Sequence, residues 1–310
     1  MKEFVLEATT DVPVVAAAAA AAAPPALRER LAAFAELTKP RITFLIALTS
    51  AAGFSLGSKG RLDYLALFNM LFGVALLSSG IATLNQFMER GLDARMRRTH
   101  ARPLPSGKVG AGAALAFGLL LTAAAEVYLA AFVNLLTAAF GLTVIVGYLL
   151  CYTPLKTRST LSTVVGAFPG AMPPLMGWTA ATGEAGVEAW ALFAILFAWQ
   201  FPHFLAIAWM YKEDYARAGI MMLPVVEPEC RITARQIVIW SLVLVPVSLI
   251  PTLLGTTGTV YFYGAFALGI LFLGTSVHAA LLHTRQGARR LLLASVLYLP
   301  VLFGLMVFNK

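Results

Sequence analysis

NQFMERGLDARMRRTHARPLP, residues 85–105, follows without a break on an apolar run that starts near residue 64. Asn85, Glu89 and Asp93 recur every four residues, and Arg90, Arg95, Arg97, Arg98 and Arg102 interleave with them or follow. On a helix, four residues turn about 400° and rise about 6 Å, so these three side chains share one face within roughly 80°. A helix that is apolar for some twenty residues and then presents acids, an amide and guanidinium groups is a membrane span leaving the bilayer. The rest of the chain is read outward from there.

Of the 310 residues, 59% are hydrophobic and 12% charged, and the mean hydropathy is +0.80. A soluble domain carries about 25% charged residues. The composition therefore implies an integral membrane protein, and long apolar segments without strand-like alternation make it all-α. The net charge of +8 fits basic cytoplasmic loops and gives no reason to expect nucleic acid. Cys151 and Cys230 have no CxxC or CxxH spacing, so neither a metal cluster nor a disulfide framework is expected. Residues 1–35 read as an Ala/Pro-rich cytoplasmic tail, expected to be disordered, with the run Ala16 to Ala23 followed by Pro24 and Pro25. Its start lacks the basic region and strong apolar core of a secretory signal.

Residues 36–310 read as one membrane domain. Nine segments have about the length needed to span: 41–58, 64–87, 110–130, 132–151, 161–180, 188–210, 236–254, 259–281 and 290–308. With the N-terminus inside, 20 of the 23 Lys and Arg lie on the cytoplasmic side, and Lys59, Arg61 and Lys310 lie outside. The positive-inside rule selects that orientation, which places the C-terminus on the opposite side. The unusual polar residues then gather at the cytoplasmic ends of spans two, four and six.

Two carboxylates and an amide on one face suit a hard divalent cation. Mg²⁺ takes few carboxylates, keeps waters, and completes its shell with substrate phosphates. Arginine forks pair with acids or bind phosphate directly. The plainer reading is a solvated helix end with interfacial arginines. Two further stretches weigh against it. In CYTPLKTRSTLSTVVGAFPGAMPPLMGW, residues 151–178, Tyr152, Lys156 and Arg158 close span four, and Lys156 is placed to hold a diphosphate. Pro169, Pro173 and Pro174 are expected to kink span five. In WQFPHFLAIAWMYKEDYARAGIMMLP, residues 199–224, His203, Ile207, Met210 and Asp214 line one face. His203 is a candidate functional residue inside the membrane or, equally, a histidine bonded to a nearby carbonyl. Asp214 is the expected further metal ligand. Glu126, in span three, receives no role.

These three stretches resemble the UbiA superfamily of intramembrane prenyltransferases, and within it the branch that farnesylates heme. The likeness runs from about residue 36 to 310. The family has an NxxxDxxxD motif after its second helix, matched here by Asn85, Glu89 and Asp93, and a second acidic motif after its sixth. Two positions depart from that pattern. Gly91 stands where many relatives carry an acid, and Met210 stands four residues before Asp214. The resemblance implies nine helices around a central cavity in a bacterial inner membrane. It implies farnesyl diphosphate and heme B as substrates, Mg²⁺ as cofactor, and association with downstream heme or oxidase assembly proteins. Carried onto this sequence, Asn85, Glu89, Asp93 and Asp214 hold metal. Arg97, Arg98, Arg102, Lys156, Arg158 and Tyr152 bind the diphosphate, and His203 or His278 meets the heme. A transferase acting on an aromatic quinone precursor is the alternative within the family. A membrane transporter is the alternative outside it, though its charges should lie on both sides of the midplane.

Overall fold

The computed structural model describes residues 27–310, and among them all regular structure is helical. In chain order the elements are α1 (Leu27–Leu37), α2 (Pro40–Gly57), α3 (Tyr64–Asp93), α4 (Ala111–Phe132) and α5 (Leu135–Ile145). A π-helical turn, Val146–Tyr152, joins α5 to α6 (Thr153–Leu155). Then come α7 (Ser162–Gly170), α8 (Met172–Thr182), α9 (Val187–Met210), α10 (Lys212–Ala218) and α11 (Leu223–Val226). Three long helices close the chain: α12 (Arg231–Leu253), α13 (Thr259–Leu282) and α14 (Arg285–Phe308).

Seven helices are long and apolar enough to cross a membrane: α3, α4, the run Leu135–Leu155, α9, α12, α13 and α14. The nine expected spans are thus seven by that measure. The other two expected segments form helix but differ in kind. Segment 41–58 is α2, eighteen residues that open on Pro40 and Arg41. Segment 161–180 is broken at Ala171 into α7 and α8, because Pro169 sits in the last turn of α7 and Pro173 and Pro174 open α8. Proline supplies no N–H and collides with the preceding turn, so the helix restarts rather than continues.

Local chemistry explains where the helices begin. Asp63 caps α3 by accepting from the N–H groups of Leu65 and Ala66, both at 3.0 Å. Asn134 caps α5 through Thr137 N–H at 2.8 Å, and Thr284 caps α14 through Gly287 N–H at 3.1 Å. The tail expected over residues 1–35 ends differently from its reading. Residues from Leu27 onward are helical because Ala33 and Leu37 bury against Val109 and Ala114. Residues 1–26, with the alanine run, lie outside the described residues.

The bundle is oily outside and finely polar inside. Leu119, Leu120, Val127, Leu271 and Leu297 each stand more than half exposed, as a lipid-facing surface requires. Between helices, hydroxyl pairs replace charge. Ser241 on α12 meets Ser276 on α13 at 2.7 Å, Ser248 meets Tyr298 at 2.9 Å, and Thr137 meets Thr179 at 3.0 Å. Small residues let α2 and α8 touch backbone to backbone. A Cβ on Gly53 would collide with the Pro174 carbonyl, and one on Gly177 with the Ser50 carbonyl.

One length places the site. At thirty residues, α3 runs about 45 Å, against a hydrocarbon core of about 30 Å. Its last turns, with Asn85, Glu89 and Asp93, therefore project to the edge of the membrane.

Candidate active site

The stripe forms as its spacing predicts and is enclosed. Asn85 is 2% exposed, Glu89 7% and Asp93 1%. Each acid is matched by a cation from another segment. Lys156, directly after α6, places Nζ 2.6 Å from Glu89 Oε1. Arg102, in the loop after α3, places Nη1 2.9 and 2.8 Å from the two oxygens of Asp93. Two buried carboxylates at a membrane edge are tolerable only with such partners.

Asn85 is oriented by α6. Its Nδ2 donates to Thr153 Oγ1 at 3.2 Å, and that hydroxyl donates to the Tyr148 carbonyl at 2.8 Å. This leaves the Asn85 Oδ1 available as an acceptor. The π-helical turn makes the arrangement possible. It brings Tyr148 and Tyr152 edge to face, with ring centroids 5.0 Å apart, and sets Tyr152 under the Lys156 ammonium at 4.4 Å. Burial opposes charge on Lys156, but the Glu89 carboxylate beside it holds the ammonium above the ordinary lysine range.

A hard cation fits this donor set. Glu89 Oε1 is buried, with the Lys156 ammonium 2.6 Å away. An enclosed carboxylate with lone pairs to spare, beside the Asp93 carboxylate and the Asn85 Oδ1, offers the oxygen ligands that a hard divalent cation prefers.

Among the described residues, no three His, Cys, Asp or Glu side chains gather as a metal group. Like the acids of α3, Asp214 is held by donors. Its oxygens accept from Arg97 N–H and Arg98 N–H, each at 3.3 Å, and from the Arg217 guanidinium. Asp214 thus fastens the loop after α3 to the start of α10. Arg98 strengthens the same joint by stacking on Tyr211 and donating to the Tyr215 hydroxyl at 3.2 Å. Arg97 and Arg158 have exposed side chains. A backbone bond from Met221 N–H to the Lys156 carbonyl, 2.7 Å, ties the segment after α10 to the end of α6.

Lys39 is the residue the sequence reading missed. It precedes α2 in a left-handed conformation, φ 49°, and its charge is felt alongside Arg102, Lys156, Glu89 and Asp93. Burial, and then the positive charges of Arg102 and Lys156, pull its ammonium down to about 8. The signal in the sequence was a lysine directly before a helix-opening proline, which reads as an ordinary interfacial anchor. Gln86 fixes this entry by donating to the Leu37 carbonyl at 2.8 Å.

The two histidines separate. His203 is inside the bundle, 2.8 Å from Ser295 on α14. His278 is exposed beside Arg290 at 3.4 Å.

Comparison with known proteins agrees with this architecture. The chain is 52% identical over 286 residues to the protoheme IX farnesyltransferase of Solibacter usitatus, covering 89% of this chain and 98% of that one. Among solved structures it resembles one described under the biosynthesis of digeranylgeranylglyceryl phosphate synthase in membranes, with a TM-score of 0.73 at 16% identity, covering 91% and 98% of the two chains. A UbiA homolog from Archaeoglobus fulgidus bound to GPP and Mg²⁺ gives a TM-score of 0.58 at 14% identity, covering 88% and 99%. The model of the UbiA prenyltransferase family matches residues 46–302, and the chain belongs to that family.

Proposed function

We propose that this protein transfers the farnesyl group of farnesyl diphosphate to a vinyl carbon of heme B, with addition of water, giving heme O. One observation carries the reading. A stripe of oxygen donors on α3 is ringed by Lys156, Arg102 and Lys39, in a chain half identical to a protoheme IX farnesyltransferase.

Asn85, Glu89 and Asp93 would hold Mg²⁺, and the bound ion would neutralise diphosphate oxygens as a Lewis acid. Lys156, Arg102 and Lys39 take up the remaining negative charge as the C–O bond breaks and pyrophosphate leaves. This is electrostatic stabilisation aimed where charge develops. Arg97, Arg98 and Arg158 form the outer basic rim, and Tyr152 holds the Lys156 ammonium. Asp214 works through the loop it fastens. The allylic cation adds to the heme vinyl carbon, and water closes the resulting cation with loss of a proton. The apolar bundle must keep water from the farnesyl cation before it reaches the vinyl group.

The same reading includes topology. Helix α2 and the broken pair α7 and α8 complete nine spans around the cavity, and residues 36–310 act as one membrane domain. The N-terminus and the active site face the cytoplasm of a bacterial inner membrane, with the C-terminus opposite. Downstream heme or oxidase assembly proteins receive the product.

The test is product identity. Purified protein in liposomes receives heme B, farnesyl diphosphate and Mg²⁺, with 4-hydroxybenzoate replacing heme in parallel tubes. Mass spectrometry is expected to find heme carrying farnesyl plus water. A prenylated aromatic without a heme product would keep the family and overturn the acceptor.

A further inference from the structure

Helix α2 connects two polar ends of the bundle. It starts beside Lys39 and the acidic stripe and ends at Gly57. Its eighteen residues rise about 27 Å, close to the hydrocarbon thickness of about 30 Å. The far end of α2 therefore stands at the opposite membrane boundary. A cavity of about 750 Å³ opens there, between the end of α2, the α8–α9 loop and the α12–α13 loop. Sites for small molecules span roughly 300–1,000 Å³.

Charge at this end of the bundle is concentrated on the cavity. Among the described residues the far end carries Lys59, Arg61, Asp63, Glu184, Glu188 and Lys310. Asp63 is used in capping α3. Lys59, Lys310, Glu184 and Glu188 all line the cavity. None of these four forms an ion pair with another. Opposite charges placed around one concavity without closing on each other leave both signs for a ligand, and low-dielectric walls focus their fields.

The two signs are held on different segments. Lys310 Nζ donates to the carbonyls of Ser55 at 2.9 Å and Ser58 at 3.3 Å, at the negative end of α2. An ammonium has three N–H donors, so one remains for the cavity. The neighbouring Asn309 is pinned to the start of α13, accepting from Gly258 N–H at 2.6 Å and, through Oδ1, from Tyr261 N–H at 2.8 Å. Lys59 follows the end of α2. On the other side, Thr182 Oγ1 accepts from Glu184 N–H at 3.1 Å, and Glu188 lies in the first turn of α9. Trp178 also lines the cavity, and tryptophan marks the headgroup level of a bilayer. Thr256 completes the polar lining, with a hydroxyl that is enclosed and without a partner among the described residues.

We propose that this cavity seats the headgroup of an aminophospholipid, with its phosphate against Lys59 and Lys310 and its primary ammonium against Glu184 and Glu188. Phosphoethanolamine joins an anion to a cation through an ethylene link, which matches basic and acidic segments facing one cavity. A glycerol phosphate head would leave both glutamates facing a ligand without a cation. A choline head has both charges but no N–H to donate to a carboxylate. The cavity is remote from the acidic stripe, so this inference does not rest on the transferase reading.

The experiment incubates delipidated protein in detergent with equimolar phosphatidylethanolamine, phosphatidylglycerol and phosphatidylcholine of the same acyl chains. Native mass spectrometry counts the lipid that stays bound. Phosphatidylethanolamine is expected to be retained in preference to the other two. Two double variants, Lys59→Gln with Lys310→Gln and Glu184→Gln with Glu188→Gln, should each weaken retention by about tenfold. The glutamate pair should also lose the preference over phosphatidylglycerol. Lys59 and Glu184 are exposed, so Lys59→Gln and Glu184→Gln alone repeat the test without touching the packing, with losses of about threefold. Unfolding midpoints in lipid-free detergent report folding. Calorimetry with glycerophosphoethanolamine separates a lipid from a soluble phosphoester: lacking acyl chains, it should bind at least about tenfold more weakly than the lipid. Equal retention of the three lipids, or wild-type retention in both double variants, would overturn the proposal. A soluble headgroup that binds as tightly as the lipid would overturn the lipid as its source.

Discussion

The two polar regions of this protein solve the same problem in opposite ways. At the end of α3, buried groups are charged and held by other charges: Glu89 by Lys156, Asp93 by Arg102. Between the helices, buried groups are neutral and held by hydroxyls: Ser241 by Ser276, Ser248 by Tyr298. Neutral pairs are the less costly way to join helices in lipid. Ion pairs withdrawn from water lose solvation that their mutual attraction barely returns. Full charges therefore gather where a charged ligand must be met, and the hydroxyl pairs that hold the bundle do without them, with Glu126 on α4 as a lone acid between α4 and α5.

The largest effect expected from this contrast is catalytic. Glu89→Gln or Asp93→Asn should each lower single-turnover transfer by at least about 100-fold, measured as heme product under saturating Mg²⁺. A chelator should do the same to the wild type, with recovery on adding Mg²⁺. The next effect separates stability from activity. Lys156→Met leaves the Glu89 carboxylate buried without its partner, costing about 3–5 kcal/mol, read as a lower unfolding midpoint. Pairing it with Glu89→Met should restore the midpoint but not the activity. If the double variant turned over farnesyl diphosphate, the ion pair would be structural only.

Much of this contrast was legible in the sequence. The spacing of Asn85, Glu89 and Asp93 fixes one helical face whatever surrounds it, because side chains four apart on a helix are neighbours. Seven of the nine apolar segments followed from length and charge as helices able to span, while 161–180 breaks at Ala171. What pattern could not carry was pairing across distant segments. Lys39 enters the site only because the chain turns at Pro40 and α1 is held by Gln86. Asp214 had the right spacing for a ligand, and spacing could not show that the loop after α3 folds back onto its oxygens. Spacing along one helix says which side chains share a face. It does not say which other segment arrives there first.

Lys39 gives the third test. Its ammonium titrates near 8, held down first by burial and then by Arg102 and Lys156. An anionic ligand favours the protonated form, so affinity for inorganic pyrophosphate should be highest below that pH and fall above it, by up to about tenfold per pH unit. Lys39→Arg should flatten the profile, since arginine keeps its charge throughout. A wild-type profile flat from pH 7 to 9 would remove Lys39 from the cradle. The smallest effect belongs to the neutral region. Ser241→Ala should cost about 1 kcal/mol of stability and leave turnover within about twofold of wild type. A large loss of activity there would mean that the division between holding and reacting regions is wrong.

The most direct measurement is calorimetric binding of farnesyl thiolodiphosphate, whose sulfur bridge resists cleavage, with and without Mg²⁺. Binding should require the ion, be lost in Glu89→Gln and Asp93→Asn, and survive in Asp214→Asn with weaker affinity, because Asp214 acts through the loop. Binding indifferent to Mg²⁺ and to both stripe variants would contradict the assignment of the end of α3 as the diphosphate site.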